Sequence, residues 1–268
     1  MKFILLYAND DSGLEERLST ALQAASGFTA HLSCLQVTPY DAFIMAEPFG
    51  GIYALATVVE QLREKEDAHR TQVETRLGSE AIDWDWQHYE GQPANIIVQR
   101  ARLADLVVLS LPNHDDAAHF LALAADVALH ARTPVLAVPG RHPGFELAGP
   151  AVVAWNGSSE SAHALRSSLP MLHKASSVHI ISVSGDHSDI SGSDATAYLA
   201  GHGIVAEFRE LPRNGHAVAD VLLEAASALD AQYLVAGAYG HTRIREAILG
   251  GVTRDLLTRS KLPLLLAH

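Results

Sequence analysis

Cysteine is almost missing from this chain: Cys34 is the single one among 268 residues. One thiol cannot form an intrachain disulfide or a cysteine-rich zinc site, and it suits a reducing cytoplasm. Basic residues are also scarce, 19 Lys and Arg against 31 Asp and Glu, for a formal net charge of −12. Such a balance argues against a general binder of nucleic acid or acidic membrane, because both need a basic face. Long apolar runs are lacking too. The opening "MKFILLYANDDSG" briefly imitates a signal peptide, but its run is short and meets Asn9, Asp10 and Asp11 with no small-residue cleavage site. It reads as a buried first strand. No run approaches the roughly 18–20 residues of a membrane helix. Fifteen histidines are present, yet none pair at His-x-His or His-x-x-x-His spacing.

What is present is a repeated plan. The stretch "GQPANIIVQRARLADLVVLSLP" (91–112) matches "GHAVADVLLEAASALDAQYLVAGAYG" (215–240): Gly, helical apolar pattern, Asp, then a short β-like run. Likewise "ADVALHARTPVLAV" (125–138) matches "TRDLLTRSKLPLLLA" (253–267), where basic residues close a helix, Pro stops it and an apolar strand follows. The starts also correspond. Both "KFILLYANDDSGLEERLSTALQAA" (2–25) and "PAVVAWNGSSESAHALRSSLPML" (150–172) read as strand, Asx/Ser/Gly turn and amphipathic helix, with Ser or Asx as the expected cap.

These pairs divide the chain into domains 1–139 and 150–268, joined by "PGRHPGFELAGP". Each half reads as five apolar strands alternating with helices, which predicts an α/β fold with a parallel sheet covered on both faces. In "AIDWDWQHYEG" (81–91) alternation puts Ile82, Trp84 and Trp86 on a packed side. Segment 41–78 exceeds its counterpart near 184–200 and reads as a loop followed by a charged amphipathic helix. Acidic "GDHSDISGSD" (185–194) offers Asp186, His187, Asp189 and Asp194 for a divalent ion, or is a solvated loop.

Ligands of doubly wound sheets bind beyond the carboxyl ends of strands. In the second half those ends are "AWNGSS", "SVSGD" and "GAYGH". Gly237 and Gly240 allow close approach of backbone N–H groups to an anion, and "GGVT" ten residues on could open a helix whose N-terminus suits phosphate. The spacing Gly237-x2-Gly240-x9-Gly250 resembles the Gly-x2-Gly-x9-Gly-(Ser/Thr) motif of the universal stress protein family. The closing "AILGGVTRDLLTRSKLPLLLA" resembles that family's ending, and the likeness spans both halves.

The resemblance implies two Rossmann-like domains, each a five-stranded parallel sheet with helices on both faces, packed as an internal pseudo-dimer through their last strands. It also implies a stress-response protein that binds ATP in the second half, with Mg²⁺ or Mn²⁺ as a companion ion. Asn156 stands where the family has an Asp near the adenine, and Val183 where a backbone borders the base. Gly237, Gly240 and Gly250 carry over directly. His241 adjoins the second glycine, Gly251 replaces the family's phosphate-binding Ser/Thr, and Val252 and Thr253 follow. Thr253 matches a second hydroxyl position. Each also has a structural reading: Asn156 as an Asx turn and helix cap, the glycines as turns, Arg243 and Arg245 as a solvated face.

The first half departs from the motif. "SLPNHDDAAHFLALAADVALHARTP" has Ser110 in place of Gly237, no glycine, and Asp115 and Asp116 where phosphate would lie. This half is expected not to hold ATP in the family manner. Since the architecture tolerates Ser110 there, Gly237 is expected to serve a ligand. No base and nucleophile recur together at the strand ends, so a dedicated enzyme is not expected, with a weak ATPase or a non-nucleotide interaction protein as alternatives. A further homodimer is compatible with this plan.

Overall fold

A computed structural model describes residues 1–39, 52–111, 117–140, 144–184, 190–238 and 251–268. In the first half the order is β1 (Phe3–Tyr7), α1 (Leu14–Phe28), β2 (His31–Thr38), α2 (Ile52–Leu77), β3 (Trp84–Glu90), α3 (Pro93–Ala101), β4 (Leu106–Ser110), α4 (Ala117–His130) and β5 (Val135–Val138). The second half repeats it: β6 (Ala151–Ala154), α5 (Ser159–Leu172), β7 (Val178–Val183), α6 (Gly192–Gly201), β8 (Ala206–Leu211), α7 (Val218–Ala228), β9 (Tyr233–Gly237), α8 (Gly251–Arg259) and β10 (Leu264–Ala267). The longer segment of the first half becomes the 26-residue α2, whose counterpart α6 has 10 residues.

All ten strands form one sheet in the order β3-β2-β1-β4-β5-β10-β9-β6-β7-β8. Within each half every pairing is parallel. At the centre β5 and β10 run antiparallel, with Leu264 opposite Ala137, Leu265 opposite Leu136 and Leu266 opposite Val135. Two edges that would otherwise offer unpaired backbone groups are thereby joined. Helices cover both faces. On one, Leu18 and Ala21 of α1, Val73 and Leu77 of α2, Leu165 of α5 and Leu199 of α6 share a core. On the other, Ile97 of α3, Val127 of α4, Leu222 of α7 and Leu256 of α8 share a second core, and α4 touches α8 across the midline.

Local chemistry explains the elements. Strands β4 and β5 are buried along their whole length, as the continuous apolar runs of a two-sided parallel sheet require. Trp84 and Trp86 pack against the first core as alternation predicts, and Trp86 meets the ring of His69 edge-on at 5.9 Å. Cys34 is fully buried. Burial, with the nearby Asp85 and Glu74 carboxylates, pushes its thiol up to about 12, so it is a packing residue. The connector between halves is not a free linker, since Phe145 and Leu147 are both buried.

Two caps differ in kind. Helix α5 is capped by Ser158, whose Oγ accepts from Ser161 N at 3.2 Å. Helix α1 begins after Gly13 with no side-chain cap of its own; Asp11 Oδ1 accepts from Gly13 N at 2.9 Å, and both oxygens of that carboxylate also accept from Arg17. Asp194, one of the acidic-loop candidates, closes a capping box with Ser191 at the start of α6. Asp186, His187 and Asp189 lie outside the described residues. Among the described residues no group of three His, Cys, Asp or Glu is placed to hold a metal ion, and no helix is long and apolar enough to cross a membrane.

Candidate functional site

Strand order reverses between β1 and β4 in one half and between β6 and β9 in the other. A crevice at a strand's carboxyl end is expected at each reversal. In the second half there is one: a cavity of about 320 Å³ beyond β6, β7 and β9, roofed by α7 and α8. Asn156, Val183, Gly237, Gly251, Val252 and Thr253 all line it. Six residues expected from the sequence therefore meet around one space, although they span almost a hundred positions. Gly240, His241 and Gly250 lie outside the described residues, as do Arg243 and Arg245.

Beneath the mouth the wall is apolar, formed by Ala154, Ile181, Val218, Leu222 and Leu256. Polar groups gather where helices begin. Ser158 and Ser161 open α5, and Gly251 and Thr253 lie in the first described turn of α8. An apolar pocket with a few convergent polar groups is the ordinary form of a small-molecule site. Glu160 is the one ionisable side chain among the described lining residues, and sequence reasoning missed it. Its spacing after Asn156 was visible, but only the fold brings α5's first turn against β9.

That contact corrects the reading of Gly237. A Cβ there would stand 2.6 Å from the Glu160 carbonyl carbon and 2.7 Å from Ser161 N, both backbone atoms. The glycine is demanded by helix α5 crossing the end of β9. In the first half the small residue sits on the opposite partner: a Cβ on Gly13 would stand 2.3 Å from Ser110 Oγ and 2.8 Å from Ser110 Cβ. The architecture does need a glycine at this crossing, and each half supplies it from a different element. Gly251 behaves otherwise, with no atom of the described residues within 4 Å of its would-be Cβ.

Asn156 also has a structural duty. Its Oδ1 accepts from Ser158 N at 3.2 Å, forming an Asx turn before α5. The side-chain NH₂ makes no hydrogen bond among the described residues, and the oxygen keeps a second lone pair.

The first half shows how the same position is closed. Ala8 N bonds Leu35 O and Trp155 N bonds Ile181 O, each at 2.8 Å, which aligns Tyr7 with Ala154, Asn9 with Asn156 and Val37 with Val183. Tyr7, 3% exposed, puts a buried ring where the second half has the methyl of Ala154. Asn9 donates from Nδ2 to Val37 O at 2.7 Å and accepts from Val37 N at 2.8 Å, so it takes up the backbone edge itself. Arg17 is wholly buried. Its guanidinium donates to Tyr7 O, Asn9 O, both oxygens of Asp11 and Ser110 Oγ, at 2.5–2.9 Å. A buried charge is tolerable only when its donors are met in this way. Asp115 and Asp116 lie outside the described residues.

Residues 149–268 match the model of the universal stress protein family. The whole chain has the fold of a universal stress protein from Archaeoglobus fulgidus DSM 4304: 15% identity, TM-score 0.75, covering 98% of this chain and 97% of that one. A functionally unknown protein from Pseudomonas aeruginosa PAO1 is also similar, at 19% identity and TM-score 0.59 over 100% of this chain and 92% of that one. Both likenesses concern fold. No curated protein matches the chain in sequence.

Proposed function

We propose that the second half binds an adenine nucleotide, ATP in the first instance, and that the protein serves a stress response through that binding. The observation that carries this reading is the convergence of Asn156, Val183, Gly251, Val252 and Thr253 on one cavity. The apolar wall of Ile181, Val183 and Leu222 suits a planar base. Asn156 offers its NH₂ to an acceptor on base or ribose, in place of the carboxylate that the family resemblance implies. The first described turn of α8, with Gly251 and Thr253, faces the phosphates, in keeping with the preference of helix N-termini for anions. Mg²⁺ or Mn²⁺ would arrive with the nucleotide and neutralise phosphate charge.

The lining suits a nucleotide and departs from the family pattern in two respects. Glu160 puts a carboxyl group at the cavity wall, and Gly251 lacks a hydroxyl. One missing hydrogen bond to a charged oxygen costs on the order of 1.5–3 kcal/mol, so affinity is expected to be modest. The rival reading, an interaction protein without nucleotide, is favoured by the use of Asn156 Oδ1 as an Asx turn. Calorimetric titration of ATP into wild type and Gly240→Val separates them. Saturable binding that the variant loses supports the nucleotide site. No heat from wild type at about millimolar ATP, the weak end of specific affinities, sinks it.

A further inference from the structure

On the opposite face of the sheet, at the outer edge of the first half, α2 spans β2 and β3 and leaves a second cavity of about 280 Å³. Its floor is Gln36. This side chain is in the middle of an apolar strand, is only 5% exposed, lines the cavity and has no hydrogen-bond partner among the described residues. Beside it Trp86 Nε1 is buried with no partner among the described residues, and such an orphan is costly and rare. It marks a place where something polar belongs.

The surrounding groups specify its chemistry. Thr38 Oγ1 donates to Glu66 Oε1 and, having given its one proton, accepts from His88 Nε2 at 2.8 Å. Glu66 Oε1 is thereby already occupied as an acceptor. Neither arginine on the rim is free: Arg70 pairs with Glu74 at 2.7 Å, and Arg63 is engaged as well. Asp67 and Glu90 line the same cavity with no ion pair among the described residues. The uncommitted charged groups are thus both carboxylates, while the Gln36 amide can accept or donate and Trp86 Nε1 is a donor without a partner among the described residues. Trp86 supplies an aromatic wall, to which a cation is attracted. A bare metal ion would need a ligand cluster that the described residues do not form.

We propose that this cavity is a binding site for a small organic ammonium, an alkyl amine or diamine held by Asp67, Glu90 and the Gln36 carbonyl against Trp86. It lies on the other face of the sheet from the nucleotide cavity and is independent of it.

The test is titration of 1,4-diaminobutane into the full chain at about 0.15 M salt, where diffuse attraction to an acidic surface is largely screened. Calorimetry and tryptophan emission are read together. Saturable binding of one amine per chain is expected, with a change in emission. Asp67→Asn combined with Glu90→Gln should weaken it about tenfold or more, as should Gln36→Leu. Succinate, the anionic counterpart, should not bind. Absence of saturable binding, equal affinity in the Asp67/Glu90 double variant, or binding of succinate in place of the amine would each overturn the site. Asp67 and Glu90 are exposed, so the double variant keeps the test decisive if Gln36→Leu does not fold.

Discussion

Gly251 and Gly237 look alike in sequence and differ in what surrounds them. Beside Gly237 a methyl group would strike the backbone of α5; beside Gly251 it would enter open space at the cavity mouth. Only the second position is free to change. Gly251→Ser should therefore fold normally, remove a helix-weakening glycine, and restore a hydroxyl facing the phosphates. Its expected effect is an ATP affinity about tenfold higher than wild type, as one charged hydrogen bond would give. Equal affinities in calorimetry would mean that phosphate does not approach this turn.

At the scale of elements, the crossing of the first helix over the fourth strand explains why the halves diverged. In one half the helix gives way at Gly13, in the other the strand gives way at Gly237. A double-mutant cycle on the first half checks this. Gly13→Ala alone should destabilise by about 1–3 kcal/mol through overpacking against Ser110. Adding Ser110→Gly should recover part of that loss, a coupling within the 0.5–3 kcal/mol seen for touching residues. Denaturant melts showing strictly additive effects would contradict the contact.

Strands and helices were legible in the sequence because two-sided burial leaves continuous apolar runs, such as "LVVLS" and "VLAV", and Pro134 and Pro263 mark the stop of the last helix in each half. The cavity-lining residues were legible through the repeat and the family spacing. The steric partner of Gly237 was not, since nothing local in "LVAGAYG" tells that the start of α5 lies against it. Arg17 is one charge among several in the helix "LEERLSTAL", with nothing local to mark it, yet it is the buried hub of the first half. Setting Tyr7 against Ala154 in the aligned strands was the available signal that one site is closed and the other open.

For the whole molecule, the antiparallel seam makes two halves into one sheet, with Leu136 and Leu265 facing each other at 0% and 1% exposure. Leu265→Ala should cost about 2–5 kcal/mol. Because the seam is shared, the loss should lower a single unfolding transition in calorimetry; two separated transitions in wild type would show that the halves are energetically independent. The same asymmetric pairing sets the functional claim: one open cavity, one closed by Tyr7, Asn9 and Arg17. Photoaffinity labelling with an azido-adenine ATP analogue, followed by peptide mapping, tests it most directly. The account predicts label on peptides from residues 150–268, competed away by ATP. Competed label on peptides from residues 1–139, or no ATP-competed label at all, would contradict it.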